Sequence, residues 1–450
     1  MAERARTGVP PCLLIAAPAS GSGKTTVTLG LINAFSKTGR TVGSFKVGPD
    51  YIDPAFHGAA GAGHCRNLDG WAMRPHRLDR LMADAGRGSD LVIGEGVMGL
   101  FDGAGDGAGS TADIAARYRL PVILVVDVRA QAASAAALIQ GFAGYRTDVA
   151  VAGVILNRVG SPRHEDMVRQ AIASVGVPVL GCVPRCDGLA LPSRHLGLVQ
   201  AQEHSDLAGF ADTAGRLLAE AVDLRGLAAL ARPPDLTPQS QSGGAPSIAR
   251  LGQRVAIASD QAFAFAYPHV LEDWHAAGAT VLPFSPLADE APVADADAVY
   301  LPGGYPELHA GRLAANRTFL SGLRRAAARP DTVIYGECGG YMVMGRRLID
   351  GDGMAHEMAG LLPIETSFQA PRLTLGYRRL RATADGPLGS AGSDYRGHEF
   401  HYAALVATDA DAPALFRARD AIGTDLGAVG HRCGRIMGSF AHLIDGGDGE

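Results

Sequence analysis

An α/β protein of two domains is what this chain predicts, and three observations carry that expectation. Short apolar runs alternate with helix-like segments from Cys12 to Cys182, a Pro-, Gly-, Ser- and Gln-rich stretch interrupts them at Arg232 to Ser247, and a fresh α/β pattern opens at Val255. Such alternation predicts a doubly wound parallel sheet, because parallel neighbours need crossover connections. With 450 residues the chain is too long for one ordinary core. The expected division is 1–231, a linker over 232–252, and 253–450.

Composition narrows the function. An apolar content of 47% with 59 glycines suits an Ala/Gly-rich α/β enzyme, and a net charge of −5 argues against a nucleic-acid binder. An acidic ligand therefore requires a local basic pocket. Cys12, Cys65, Cys182, Cys186, Cys338 and Cys433 lack C-x-x-C spacing, which disfavours zinc and a disulfide framework. The apolar run that follows MAERARTGVPP is too short for a signal core or a membrane span, so a cytoplasmic protein without a membrane partner is expected.

The first apolar run, Cys12 to Ala17, feeds into Ser20-Gly21-Ser22-Gly23-Lys24-Thr25-Thr26. A strand, a glycine-rich turn and a helix expected over Thr26 to Phe35 make this a phosphate loop. The glycines are expected to expose backbone N–H groups to phosphate oxygens, Lys24 to neutralise β/γ charge and Thr25 to ligate Mg²⁺, with Ser22, Gly23 and Thr26 as further candidate nucleotide contacts. Pro18 stands where the strict pattern has its first glycine.

Further strands are expected at Thr41 to Val47, Leu91 to Gly94, Val122 to Val126, Val151 to Leu156 and Val177 to Cys182. Ligands of such sheets sit beyond the carboxyl ends of the strands, so strand exits are where chemistry is sought. Lys46 to Pro54 and Gly94 to Gly103 are two such exits. Asp50, Asp53 and Glu95 are candidate Mg²⁺ ligands or substrate-positioning groups, with Asp50 and Glu95 favoured for the metal and Asp50, Tyr51 and Asp53 for substrate. Mg²⁺ at nucleotide sites takes only one or two carboxylates, so not all three ligate it directly. The competing reading of each is a turn-forming carboxylate. Asn157 is a candidate adenine contact, or a simple turn residue. Pro184-Arg185 and Leu191 to His195 add basic groups near the same face, with a solvated surface as the plainer alternative.

In the second domain the run Ala298 to Leu301 exits into Pro302-Gly303-Gly304-Tyr305-Pro306-Glu307, with a long helical segment expected to Ala328. Thr332 to Gly345, TVIYGECGGYMVMG, reads as a nucleophile on a sharp turn between a strand and a helix, the cysteine version of the G-x-S-x-G elbow. Cys338 is the nucleophile, and a helix N-terminus beneath the sulfur would favour thiolate. The alternative is a buried structural cysteine. The N–H groups near Gly304 and Gly339 are candidates for an oxyanion site. A base is needed as well: His269, His275 and His309 fall in helix-like stretches, and spacing does not choose between His401 and His442.

The phosphate loop, GPDYIDP, EGVMGLFDG, LPGGYPEL and GECGGYMVMG together resemble the cobyrinate or hydrogenobyrinate a,c-diamide synthases of cobalamin biosynthesis, over nearly the whole chain. The amino-terminal part is similar to dethiobiotin synthetase, and the remainder to class I glutamine amidotransferase domains. The resemblance implies that Cys338 is a glutaminase nucleophile and His442 its base. It also implies an ATP- and Mg²⁺-dependent synthetase site that activates a carboxylate as an acyl phosphate, with Lys46 assisting phosphoryl transfer. The implied partners are a corrinoid tetrapyrrole, glutamine and ATP, with Arg129, Arg158, Arg185, Arg194 and His195 as the basic pocket for the many-carboxylate macrocycle. A homodimer is compatible, and the sequence leaves oligomeric state open. The usual Glu two residues after the histidine is here Ile444, followed by Asp445, so a Cys-His dyad helped by a backbone group or by Glu399 stays open. Nickel-sirohydrochlorin a,c-diamide synthesis is a rival within the enzyme class. A phosphate-loop switch ATPase with a passive second domain is a rival outside it.

Overall fold

Five of the expected strands and one unexpected one surround the strand that precedes the phosphate loop. In chain order they are β1 (Cys12–Ala16), β2 (Val42–Val47), β3 (Ala62–Leu68), β4 (Leu91–Glu95), β5 (Val122–Asp127), β6 (Val151–Val159) and β7 (Val179–Pro184). All pairings are parallel, in the order β3-β2-β4-β1-β5-β6-β7. The central strands β1 and β4 are fully buried and apolar apart from Glu95 at the end of β4, as a sheet covered by helices on both faces requires. The computed structural model describes residues 8–189, 193–194, 197–198, 200–204, 206–236 and 248–447.

Two departures from the sequence expectation bear on the site. The edge strand β3, AGHCRNL, is too polar to stand out by pattern. β6 runs to Val159, so Asn157 and Arg158 lie within a strand, not beyond its end. The helix α1 (Lys24–Lys37) starts at the phosphate-loop lysine itself.

The chain forms two compact units, the second taking in Ala72–Arg74 together with the chain after the Pro- and Ser-rich stretch. That second unit holds a six-stranded sheet in the order Thr280–Phe284, Arg254–Ala258, Ala298–Leu301, Val333–Glu337, Ile436–Ser439 and His431–Cys433. The first five are parallel and the last is antiparallel. An antiparallel sheet follows, in the order Asp425–Val429, Phe416–Arg419, Thr374–Ala382, Asp394–His401 and His442–Gly446. The long helix expected to Ala328 is instead a 3₁₀ turn (Pro306–His309) and two helices, Ala310–Ala315 and Arg317–Ala327, broken at Asn316. Among the described residues no helix is long and apolar enough to cross a membrane.

The elbow joins Val333–Glu337 to a six-residue helix, Gly339–Met344. Cys338 lies between them at φ 47°, ψ −106°, a conformation that side-chain-bearing residues seldom adopt. Two backbone bonds hold it there, Cys338 N–H to the Ser439 carbonyl at 2.8 Å and Gly340 N–H to the Pro302 carbonyl at 3.1 Å. A Cβ at Gly340 would stand 1.9 Å from the Leu301 carbonyl oxygen. Gly340→Ala is therefore expected to destabilise the second unit by about 2–3 kcal/mol, the upper range for overpacking, seen as a lower denaturation midpoint. An unchanged midpoint would count against this account of the elbow.

Candidate active sites

In the first unit, Gly23 must be glycine: it has φ 93°, and a Cβ there would fall 2.2 Å from Asn157 Nδ2. The Asn157 amide donates to the Ser22 carbonyl at 2.9 Å. The side chain expected at an adenine edge thus braces the phosphate loop. Ser22 Oγ donates to the Ala19 carbonyl at 2.8 Å, and Thr26 is half-buried.

Lys24, buried, donates to the Met98 carbonyl at 2.6 Å; desolvation first and Lys46 second lower its pKa. Thr25 Oγ1 donates to Glu95 Oε1 at 2.8 Å. Glu95, at the end of β4, is fully buried; its Oε1 also accepts from Lys46 Nζ at 2.9 Å, and its Oε2 meets His57 Nε2 at 2.8 Å. Lys46 donates to Asp53 Oδ2 at 2.5 Å and to the Gly96 carbonyl at 3.2 Å. Burial works to lower the Lys46 pKa, but Asp53, Glu95 and Asp50 outweigh it and hold the ammonium form. Burial likewise works to raise Glu95, yet Lys46 and His57 hold its carboxyl below the usual range. Asp53 is pushed up to about 7, by burial and then by Asp50.

The metal candidates are not equivalent. Thr25 and Glu95 present a hydroxyl and a carboxylate together beside the loop, an oxygen donor pair suited to Mg²⁺ once phosphate oxygens and waters complete its six positions. Asp50 Oδ1 instead accepts the N–H groups of Ile52 at 2.8 Å and Asp53 at 3.1 Å, and Oδ2 stands 3.9 Å from Lys46 Nζ. Tyr51 is half-buried beside it. Arg129 and Arg158 both pair with Asp127, at 2.8 and 2.5 Å, and Arg158 also donates to the Gly21 carbonyl at 2.8 Å. Arg185 is exposed. The Arg194 side chain and His195 lie outside the described residues.

In the second unit, thiol and imidazole converge over Gly303. A Cβ on Gly303 would lie 3.2 Å from Cys338 Cβ, 2.3 Å from His442 Cε1 and 3.2 Å from His442 Nε2. A Cβ on Gly339 would lie 3.1 Å from the Gly304 nitrogen, so these two glycines also meet beside the cysteine. His401 is turned elsewhere, its Nδ1 on the Ala403 carbonyl at 3.0 Å and its ring stacked on Phe440 at 4.0 Å.

The helix beneath Cys338 does not make it a thiolate. Burial, then the negative charge of Glu307, pushes the thiol well above its ordinary value, and the Gly339 N–H on the sulfur only partly offsets this. Six residues form too short a helix for a strong terminal field, and desolvation dominates. Burial also drives His442 far below its ordinary pKa, with the neighbouring His398 and His401 acting in the same direction. The resting pair is a thiol beside a neutral imidazole.

Residues 13–199 match the CobQ/CobB/MinD/ParA nucleotide binding domain, and residues 254–448 match the CobB/CobQ-like glutamine amidotransferase domain. Similar curated proteins include the hydrogenobyrinate a,c-diamide synthases of Brucella anthropi (52% identical over 434 residues, 96% of this chain and 98% of that one), Brucella abortus biovar 1 (53% over 438, 96% and 98%) and Rhizobium meliloti (52% over 437, 96% and 99%). This chain belongs to the hydrogenobyrinate a,c-diamide synthase family.

In this member of the synthase family several contacts in and around the candidate sites escape sequence reasoning. His57 carries no motif; it lies in the helix Asp53–Ala59, 2.8 Å from Glu95 at the end of β4. Arg74 reaches Asp445 with its backbone N–H at 2.9 Å, Nε at 3.2 Å and Nη2 at 3.0 Å, a pairing 371 positions apart. Gly303 is visible in sequence only as half of a Gly-Gly turn. Gly303→Ala should push the imidazole edge aside and lower glutamine hydrolysis at least about 10²-fold, the loss a displacement near 1 Å can bring. Ammonia release from glutamine measures it, with ammonium-driven product formation expected to persist.

Proposed function

We propose that the protein is an ATP- and glutamine-dependent ligase that converts the a and c carboxylates of hydrogenobyrinate, or of its cobalt counterpart cobyrinate, into amides. The observation that carries this reading is the pairing of two chemistries in one chain: Cys338 and His442 converging over Gly303, and a phosphate loop whose Lys24 and Thr25 neighbour the Lys46–Glu95 pair. Relatives at 52–53% identity bearing the synthase name support the substrate class.

At the glutaminase site His442 takes the Cys338 proton as sulfur attacks the glutamine side-chain carbonyl. The C–S bond forms, and the oxyanion is met by the N–H groups of Gly304 and Gly339. Collapse breaks the C–N bond, His442 returns the proton to the departing nitrogen, and ammonia leaves. Water then hydrolyses the thioester to glutamate and regenerates the thiol. Because both groups rest neutral, no buried ion pair has to form before substrate arrives.

At the synthetase site a substrate carboxylate attacks the γ-phosphorus of ATP, and the bond to the bridging oxygen breaks towards ADP. Ammonia then attacks the acyl carbon and phosphate departs with the bonding pair. Carboxylate is too poor an electrophile to react with ammonia directly, which is why phosphate must first be installed. Lys24 and the loop N–H groups hold the phosphate chain, and Lys46, kept as the ammonium by Asp53 and Glu95, meets the transferring group. Thr25 and Glu95 would hold Mg²⁺, whose chemistry is neutralisation of phosphate charge.

Cys338→Ser should abolish glutamine-dependent amidation while amidation with concentrated ammonium salt persists. Loss of both in a folded variant would sink the two-site reading. Lys24→Ala should remove both routes to product. Mass spectrometry of products from hydrogenobyrinate, cobyrinate and nickel-sirohydrochlorin offered together would assign the macrocycle; preferential amidation of the nickel compound would replace the substrate proposed above.

A further inference from the structure

An imidazole that shuttles a proton needs something on its far nitrogen to fix its tautomer and to stabilise the imidazolium. The carboxylates near His442 in sequence do not provide it. Ile444 stands where the usual glutamate would be. Asp445 is held by Arg74, and Glu399 is clamped by Arg378 through Nε at 2.8 Å and Nη2 at 2.7 Å.

Among the described residues one other carboxylate reaches the ring. Glu337, immediately before the nucleophile, is 3% exposed, and its Oε2 lies 3.8 Å from His442 Nδ1. It is fixed on three sides. Oε1 accepts from Tyr335 OH at 2.8 Å and from the Leu443 N–H at 3.0 Å, and Oε2 accepts from Tyr300 OH at 2.8 Å. A carboxylate has about four lone-pair sites, so Oε2 keeps capacity towards the ring. The Leu443 bond matters because it ties Glu337 to the residue next to His442, which fixes the two relative to each other. On the opposite side of the ring, the Cε1–Nε2 edge faces Gly303 and Cys338.

We propose that Glu337 is the positioning acid for His442, supplying from the residue before the nucleophile the service that class I relatives draw from a glutamate two places after the histidine. The separation of 3.8 Å is longer than a hydrogen bond, as catalytic contacts often are before substrate binds. It shortens when the Cys338 proton reaches Nε2 and Nδ1–H becomes part of a cation. Glu337 makes and breaks no covalent bond. Burial pushes its carboxyl up to about 7, so the appearance of the imidazolium is what secures its ionised form. The inference rests on the glutaminase reading of Cys338.

The groups facing the pair are Tyr300, Tyr335 and Cys338 around Glu337, and His398, His401 and Cys338 around His442. Tyr300 and Tyr335 are raised well above their ordinary values by burial and stay neutral across the useful pH range. An acid limb in the pH profile of glutamine hydrolysis therefore reports the Glu337–His442–His398–His401 group.

The test is Glu337→Gln, which keeps size but removes the charge and turns one acceptor oxygen into a donor, assayed for ammonia release from glutamine and for ammonium-driven amidation. The expected result is a fall in glutaminase kcat of about 10²-fold, within the range of acid–base contributions, with KM for glutamine nearly unchanged. The acid limb should move to lower pH, since a lost anion makes His442 harder to protonate, and ammonium-driven amidation should persist. Glu337→Asp, which retains the charge, should recover part of kcat and keep the acid limb near that of the parent. A Gln variant within about threefold of the parent, or an Asp variant no better than Gln, overturns the proposal; should the Gln variant lose folding, the Asp comparison alone decides. Cys338→Ser separates the two levels: glutaminase that survives it defeats the underlying reading and the proposal with it. Glutaminase that vanishes there while Glu337→Gln leaves kcat and pH profile unchanged defeats only the role of Glu337.

Discussion

The amidotransferase unit depends on a backbone constraint. Cys338 is kept at positive φ by bonds from its own N–H to Ser439 and from Gly340 N–H to Pro302, that is, by the strands on either side of the one it ends. Such strain persists only where the surroundings over-determine it. Here the determinants are glycines at positions where any Cβ would strike backbone or ring: Gly340 against Leu301, Gly304 against Ala262, and Gly303 against His442. The same close approaches that permit the turn bring imidazole and thiol together, so fold and site share one cause.

The synthetase unit is organised by charge rather than strain. Two lysines, Lys24 at the start of α1 and Lys46 near the end of β2, are buried where a free ammonium would be costly. Lys46 is tolerated because Glu95 and Asp53 lie against it, and Glu95 in turn is tolerated because Lys46, His57 and Thr25 surround it. A nucleotide phosphate entering this cluster adds negative charge next to two cations and competes with the carboxylates for them.

Much of this was legible in the sequence because the signals were local. The phosphate loop, the elbow and the alternation of β1, β2, β4, β5, β6 and β7 with helices are each contained in a few consecutive residues. What stayed hidden depends on contacts between distant ones. β3 is an edge strand with a polar sequence, so its pattern is weak, and the strands bearing His398 and His442, DYRGHEFH and HLIDG, bury polar and charged residues among apolar ones, which masks their alternation. Spacing did not choose between His401 and His442; the placement of His442 over Gly303 agrees with the choice that the family resemblance implies. The thiolate expectation for Cys338 failed because sequence shows a helix start but not how deeply the sulfur is buried.

That burial has a consequence for the enzyme at rest. Alkylating agents and peroxides react with thiolate, and Cys338 is both nearly inaccessible and held in its protonated form by its surroundings. On the glutaminase reading proposed above, a nucleophile prepared in this way is shielded from oxidants and electrophiles at large, and becomes reactive only towards a molecule that fills the site and draws His442 into service. Selectivity among electrophiles is then set by shape, and an inhibitor of the glutamine reaction would have to resemble the amino acid before it could reach the sulfur.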